Sequence, residues 1–214
     1  MVGYNFNTEI NKIFKNDRCS DIFELGQSLG MHRFFMLNIT DDKAFDIRFT
    51  EMVSFMKRVD FMLSPEILVK LTDPNFLKKE KQKSIYKIRC LAFVYAFFSF
   101  GPEYVREFLE KFLFRTKDEE SMEQILDMIE ELKAVTVVDK TDYRGILKGI
   151  ENLLGFNGHQ FFLNICYYCS VLQTEKEIVG FIEYYSEHAK DIYYNYMFSL
   201  LNLDEVSSDE EDGN

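Results

Sequence analysis

Ser84-Ile-Tyr-Lys-Ile-Arg-Cys-Leu-Ala-Phe-Val-Tyr-Ala-Phe-Phe-Ser-Phe100, followed at once by Gly101-Pro102, contains the longest apolar run of the chain, Cys90 to Phe100. Ile85, Ile88, Leu91, Ala92, Tyr95 and Phe98 recur at helical spacing, and further aromatics occupy the remaining faces. A helix so apolar around its circumference belongs at the centre of a fold. Tyr86, Leu91 and Tyr95 are expected on its buried face. Arg89 is expected to be more exposed or paired, because burying a lone charge is costly. The run is too short for the ~20 apolar residues of a membrane-spanning helix.

Gly101-Pro102 breaks this helix, and Glu103 to Phe114 resumes the pattern with Tyr104, Val105, Phe108, Leu109 and Phe112. The two segments read as a helical hairpin. Its aromatic density exceeds what one helix face buries; most of it is read as core, and the surplus at Phe97, Phe98, Phe100 and Tyr104 as a partner-binding surface for a helix.

Upstream, Phe45, Phe49, Met52, Val53, Met56, Val59, Met62 and Leu63 mark a core helix over 44–63. Ser64-Pro65-Glu66 supplies an N-cap, a proline at the first helical position and an early acid for a helix through Leu71, and Asp73-Pro74 repeats the device. Residues 5–16 and 20–30 read as short helices, with faces formed by Ile10, Ile13 and Phe14 and by Ile22, Phe23, Leu25 and Leu29.

Downstream, Ser121-Met-Glu-Gln124 matches a capping box before the stripe Ile125, Leu126, Ile129 and Leu132, with a β-branched end over Val135 to Val138. Three further helices are expected over 143–154, 159–172 and 175–203, the last opened by a second capping box, Thr174-Glu-Lys-Glu177. Ile178, Ile182, Tyr185, Ala189, Ile192 and Tyr196 alternate four and three apart, a seam that needs a partner surface, internal or foreign. With three prolines and ten glycines in 214 residues, turn signals are too sparse for a sandwich or barrel. The expected class is all-α. It comprises an irregular multi-helix orthogonal bundle over 1–140, a C-terminal helical extension packed on it over 141–203, and a disordered acidic tail over 204–214.

The net charge is −11, of which six acids lie in Asp204 to Asn214, leaving −5 on residues 1–203. Against this stand Lys78, Lys79, Lys81, Lys83, Lys87 and Arg89, opposed only by Glu80. Lys78, Lys79, Lys81 and Lys83 read either as a solvated loop or as an RNA-facing patch that meets phosphate. Ser207 and Ser208 before an acidic run suit an acid-directed kinase as well as a plain solubilising tail.

Met1 to Asn16 carries no apolar signal-peptide core, so Cys19, Cys90, Cys166 and Cys169 are expected as reduced thiols of an intracellular protein. Cys166-Tyr-Tyr-Cys169 is formally a C-x-x-C, and His159 and His188 could join it around zinc. No second closely spaced ligand pair accompanies it and the segment reads as an apolar helix, so the cysteines are taken as core. No metal, cofactor, small-molecule substrate or catalytic constellation is expected from the three histidines.

Lys57, Pro65, Val69 and Phe76, then Tyr86-Lys87-Ile88-Arg89-Cys90-Leu91-Ala92 with Tyr95, then Met122, Ile125, Leu126, Asp127 and Ile129, form an ordered set over about 52–132. In that order and spacing the chain resembles the pre-mRNA-splicing factor 38 family. Residues 143–203 lie outside the likeness. The resemblance implies a non-enzymatic, all-helical scaffold of the nucleus that joins the tri-snRNP and the pre-activation spliceosome and supports activation. Its implied partners are a zinc-finger splicing protein and an extended, mostly helical splicing factor. Two other readings stand beside it: an acidic helical adaptor or ribosome-associated factor in the cytoplasm, and a metal-binding or enzymatic protein centred on His159, Cys166, Cys169 and His188.

Overall fold

The computed structural model describes residues 3–71, 88–113, 119–134, 139–151 and 160–188, which are helical throughout apart from their turns, with no strand among them. The all-α expectation is met. The helices are α1 Gly3–Lys15, α2 Cys19–Ser28, α3 Asp42–Met62, α4 Pro65–Leu71, α5 over 88–97, α6 Pro102–Phe108, α7 Glu119–Ala134, α8 Tyr143–Glu151, α9 Gln160–Val171 and α10 over 175–188. Short 3₁₀ turns lie at Met31–Phe35 and Phe98–Phe100, and α6 widens into a π-helical turn at Leu109–Leu113.

α3 and α5 form the centre. Asp41 caps α3 by accepting the Ala44 amide N–H at 2.9 Å, and every residue of the stripe from Phe45 to Leu63 is buried. Phe55 of α3 is buried too, its ring 5.3 Å from that of Tyr95 on α5. α5 is buried on all its faces from Ile88 through Tyr95, and Leu91 and Tyr95 lie where the periodicity puts them. Tyr86 lies outside the described residues. Leu91→Ala should cost about 2–5 kcal/mol by leaving a cavity beside neighbours that relax only partly. Urea unfolding followed by circular dichroism reads that loss, and an unchanged midpoint would place Leu91 outside the core.

Arg89 is paired rather than exposed: it is 2% accessible. Its Nε donates to Asp60 Oδ1 at 2.9 Å, Nη2 lies 3.5 Å from Asp17, and Nη1 donates to the Phe14 carbonyl at 3.4 Å. Asp60 Oδ2 in turn accepts the Ser20 amide at 2.8 Å in the first turn of α2, where no local side chain caps the helix. One ion pair thus puts a cation at the C-terminal end of α1 and a carboxylate at the N-terminal end of α2, the signs each helix dipole favours. Arg89 therefore adds nothing to a basic surface. Lys78, Lys79, Lys81 and Lys83 lie outside the described residues.

The aromatic surplus goes inward. Phe93, fully buried, has ring centroids 5.0 to 5.6 Å from Phe14, Phe23, Phe35, Phe97 and Phe108. Phe97 meets Phe45, Phe49, Phe100 and Tyr104 within 6.0 Å, and the Tyr104 hydroxyl donates to the Phe35 carbonyl at 2.6 Å. Phe97 and Tyr104 are consequently buried, and Phe98 and Phe100 half-buried. This corrects the expectation of an open aromatic surface on the hairpin. α3 and the Met31–Phe35 turn line the hairpin as well, so more than one face of it is covered.

Beyond 139, α9 packs on α3, and Arg58 Nε donates to the Cys169 carbonyl at 2.8 Å. The second capping box forms as read: Glu177 Oε2 accepts the Thr174 amide at 2.9 Å and Thr174 Oγ1 accepts the Glu177 amide at 3.2 Å. The seam that follows finds an internal partner as far as it is described. Ile178 and Ile182 are buried, and the neighbouring Phe181 lies 4.4 Å from Tyr168 of α9 and 5.9 Å from Tyr143 of α8. Ala189, Ile192, Tyr196, Ser207 and Ser208 fall outside the described residues. The first capping box is displaced, since α7 already begins at Glu119 and Ser121 lies within it; the stripe Leu126, Ile129 and Leu132 is buried nonetheless.

Candidate binding cleft

The second apolar face read from the sequence divides. Phe23 of α2 turns into the core, but Leu25 and Leu29 are 60% and 66% exposed. Ten residues of helix present more apolar side chains here than α1 and α3 together cover. Met31 and Phe34 of the following turn are also exposed, at 53% and 64%. All four line one cleft of about 490 Å³ between α1, α2 and the Met31–Phe35 turn, with Ile10 and Ile13 on its opposite wall and Phe35 and Phe49 beneath. Its size and apolar lining fall within the range of ligand and anchor pockets.

Two polar side chains, Glu9 and His32, join that lining, and Glu9 is paired with Lys12. His32 is 6% exposed, its ring centroid 5.0 Å from that of Phe49, and its Nε2 lies 2.7 Å from Asp46 Oδ1. The carboxylate accepts, so Nε2 carries a proton in this pair. Nδ1 is buried and has no hydrogen-bond partner. Arg33 closes the network from outside, pairing with Asp42 and lying 3.3 Å from Asp46. The hydrogen bond from His32, with Arg33 beside it, holds the Asp46 carboxyl below its ordinary range.

Sequence reasoning missed this cleft. The signal was present as Leu25, Leu29, Met31 and Phe34 crowded around a single histidine, but helical spacing alone assigns the two leucines to the core.

The structure keeps the other predicted positions apart from the cleft. Cys166 and Cys169 are fully buried in α9, and no disulfide joins any of the four cysteines. Burial pushes the Cys166 thiol well above its ordinary value and that of Cys169 up to about 12, so neither is a thiolate at neutral pH. His188 Nδ1 lies 2.8 Å from the Tyr184 carbonyl, its ring stacked on Tyr184. His159 is outside the described residues, and among those described no group of three or more metal-ligating side chains gathers. Lys57, on the exposed side of α3, pairs with Glu24 at 2.7 Å. Among the described residues no helix is long and apolar enough to cross a membrane. Comparisons with family models, curated proteins and solved structures give no match for the chain.

Proposed function

We propose that the chain is a non-enzymatic helical scaffold of the nuclear splicing machinery, acting in the tri-snRNP and pre-activation spliceosome by holding other splicing proteins. The scaffold half of this reading is carried by one observation: Leu25, Leu29, Met31 and Phe34 leave a contiguous apolar rim exposed around a single cleft. Contiguous apolar surface on a soluble protein marks a contact site, since leaving it in water is unfavourable. The splicing half rests on the sequence likeness over 52–132. Its residues have structural work consistent with that likeness, with Arg89 in the buried ion pair, Leu91 and Tyr95 in the core, and Leu126 and Ile129 on the buried face of α7.

Purification of the tagged chain from its own cells tests both halves. Splicing proteins, including a zinc-finger protein and an extended helical one, and splicing RNAs are expected to come with it. Recovery with ribosomal subunits and without splicing components would replace this reading with that of a ribosome-associated adaptor. Leu25→Asp with Leu29→Asp should reduce recovery of at least one protein partner tenfold or more while helicity stays as in the parent, because both side chains already face water. Unchanged recovery of every partner would remove the cleft from the contact surface.

A further inference from the structure

The cleft stands on a part of the chain whose charge differs from the rest. Residues 3–35 build all of it except Phe49, and they hold four acids, Glu9, Asp17, Asp21 and Glu24, against four bases, Lys12, Lys15, Arg18 and Arg33. Their formal net charge is zero, so the whole −11 of the chain lies on other residues. Most of these charges are also paired within the chain, Glu9 with Lys12, Asp21 with Arg18, Glu24 with Lys57, and Arg33 with Asp42 and Asp46. At physiological salt charges are screened beyond about 8 Å, so the residues around a contact decide whether two acidic molecules repel there. An acidic surface opposes a second copy of itself. This face does not.

Shape points the same way. A two-fold interface sets one patch against itself, so that patch must offer both a hollow and the side chains that fill it. Here the hollow is the cleft of about 490 Å³, and Leu25, Leu29, Met31 and Phe34 stand around it, each more than half exposed. We propose that this face is a homodimer interface, in which the rim side chains of each copy fill the cleft of the other about a two-fold axis.

A neutral rim gives a strongly acidic or basic stranger nothing to select, whereas two copies match in charge by construction. Leucine, methionine and phenylalanine around a patch with few unpaired charges is also closer to the make-up of homodimer contacts than to that of transient ones. Four side chains at roughly 100 Å² each, with the polar residues around them, give on the order of 1,200 Å² for two copies, the low end of specific interfaces. The dimer is therefore reversible, exchanging with monomer at micromolar concentrations. The proposal names an occupant for the rim on which the scaffold reading rests, and it is tested on the purified chain alone.

Sedimentation velocity of the full chain over about 1–200 μM reads the association directly. The mass is expected to rise with concentration from that of a monomer towards twice that value. Leu29→Asp and Phe34→Asp should each weaken dimerisation tenfold or more at unchanged helicity and thermal midpoint, because every dimer would then bury two carboxylates without partners. The place of contact is read separately. The native cysteines are buried, so a nitroxide on Ser28→Cys, an exposed position beside Leu29, labels that face. Mixed with isotope-labelled chains that lack the nitroxide, it should broaden the NMR signals of Leu25, Leu29 and Phe34 in the other copy. A monomer over the whole range, dimerisation indifferent to both substitutions, or broadening confined to another part of the molecule would overturn the proposal. A monomeric chain that still recovers splicing components would keep the scaffold reading and remove the dimer; a dimer that recovers none would do the reverse.

Discussion

Arg89→Met should lower the unfolding free energy by about 3–5 kcal/mol, the scale on which removing one partner of a buried ion pair leaves the other charge uncompensated. Asp60 is the charge left behind, its side chain only 10% exposed. Without the guanidinium it still accepts the Ser20 amide, but the Phe14 carbonyl loses its donor and Asp17 its cation. A second substitution separates charge from packing. Asp60→Asn keeps an oxygen for the Ser20 amide and removes the orphaned charge, so Arg89→Met with Asp60→Asn should be more stable than Arg89→Met alone. Urea denaturation of the four proteins closes this cycle. A loss below about 1 kcal/mol for Arg89→Met would mean that α1, α2, α3 and α5 do not meet through this pair.

Phe93→Ala should be comparably severe, about 3–5 kcal/mol. Five rings surround Phe93, and deleting it both forfeits its own transfer from water and leaves a void that α1, α2 and α6 can fill only by moving together. In a chain of this length the loss corresponds to a fall in Tm of roughly 10 °C in a thermal melt. Phe98→Ala is the internal comparison, since Phe98 is half-buried at the edge of the same cluster and should cost less. Equal losses at the two positions would mean that Phe93 is not the hub.

The same aromatic cluster shows where reading residues in order reaches its limit. Spacing within 84–100 identified a central helix and placed Leu91 and Tyr95 inward, because a helix apolar on every side has only one place to go. It did not tell how much cover other elements bring. Phe97 and Tyr104 looked surplus when the hairpin was weighed by itself, yet α3 and the Met31–Phe35 turn enclose them. Leu25 and Leu29 erred in the opposite sense. Their spacing matched a buried face, but α1 and α3 are filled by Ile10, Phe14 and Phe23 before those leucines are reached.

Local physics was legible directly. Thr174 and Glu177 pair their side chains with each other's ends of a helix turn three residues apart, Gly101-Pro102 stops one helix and starts another, and the stripe from Phe45 to Leu63 runs along a single face. Each of these depends on neighbours within a turn or two, so the order of residues contains all the information needed. The Arg89–Asp60 pair, the fate of the hairpin aromatics and the cleft around His32 join residues 14 to 75 positions apart. What each such group meets is set by how completely the intervening helices fill the space between them, a property of volumes in three dimensions that helical periodicity does not carry.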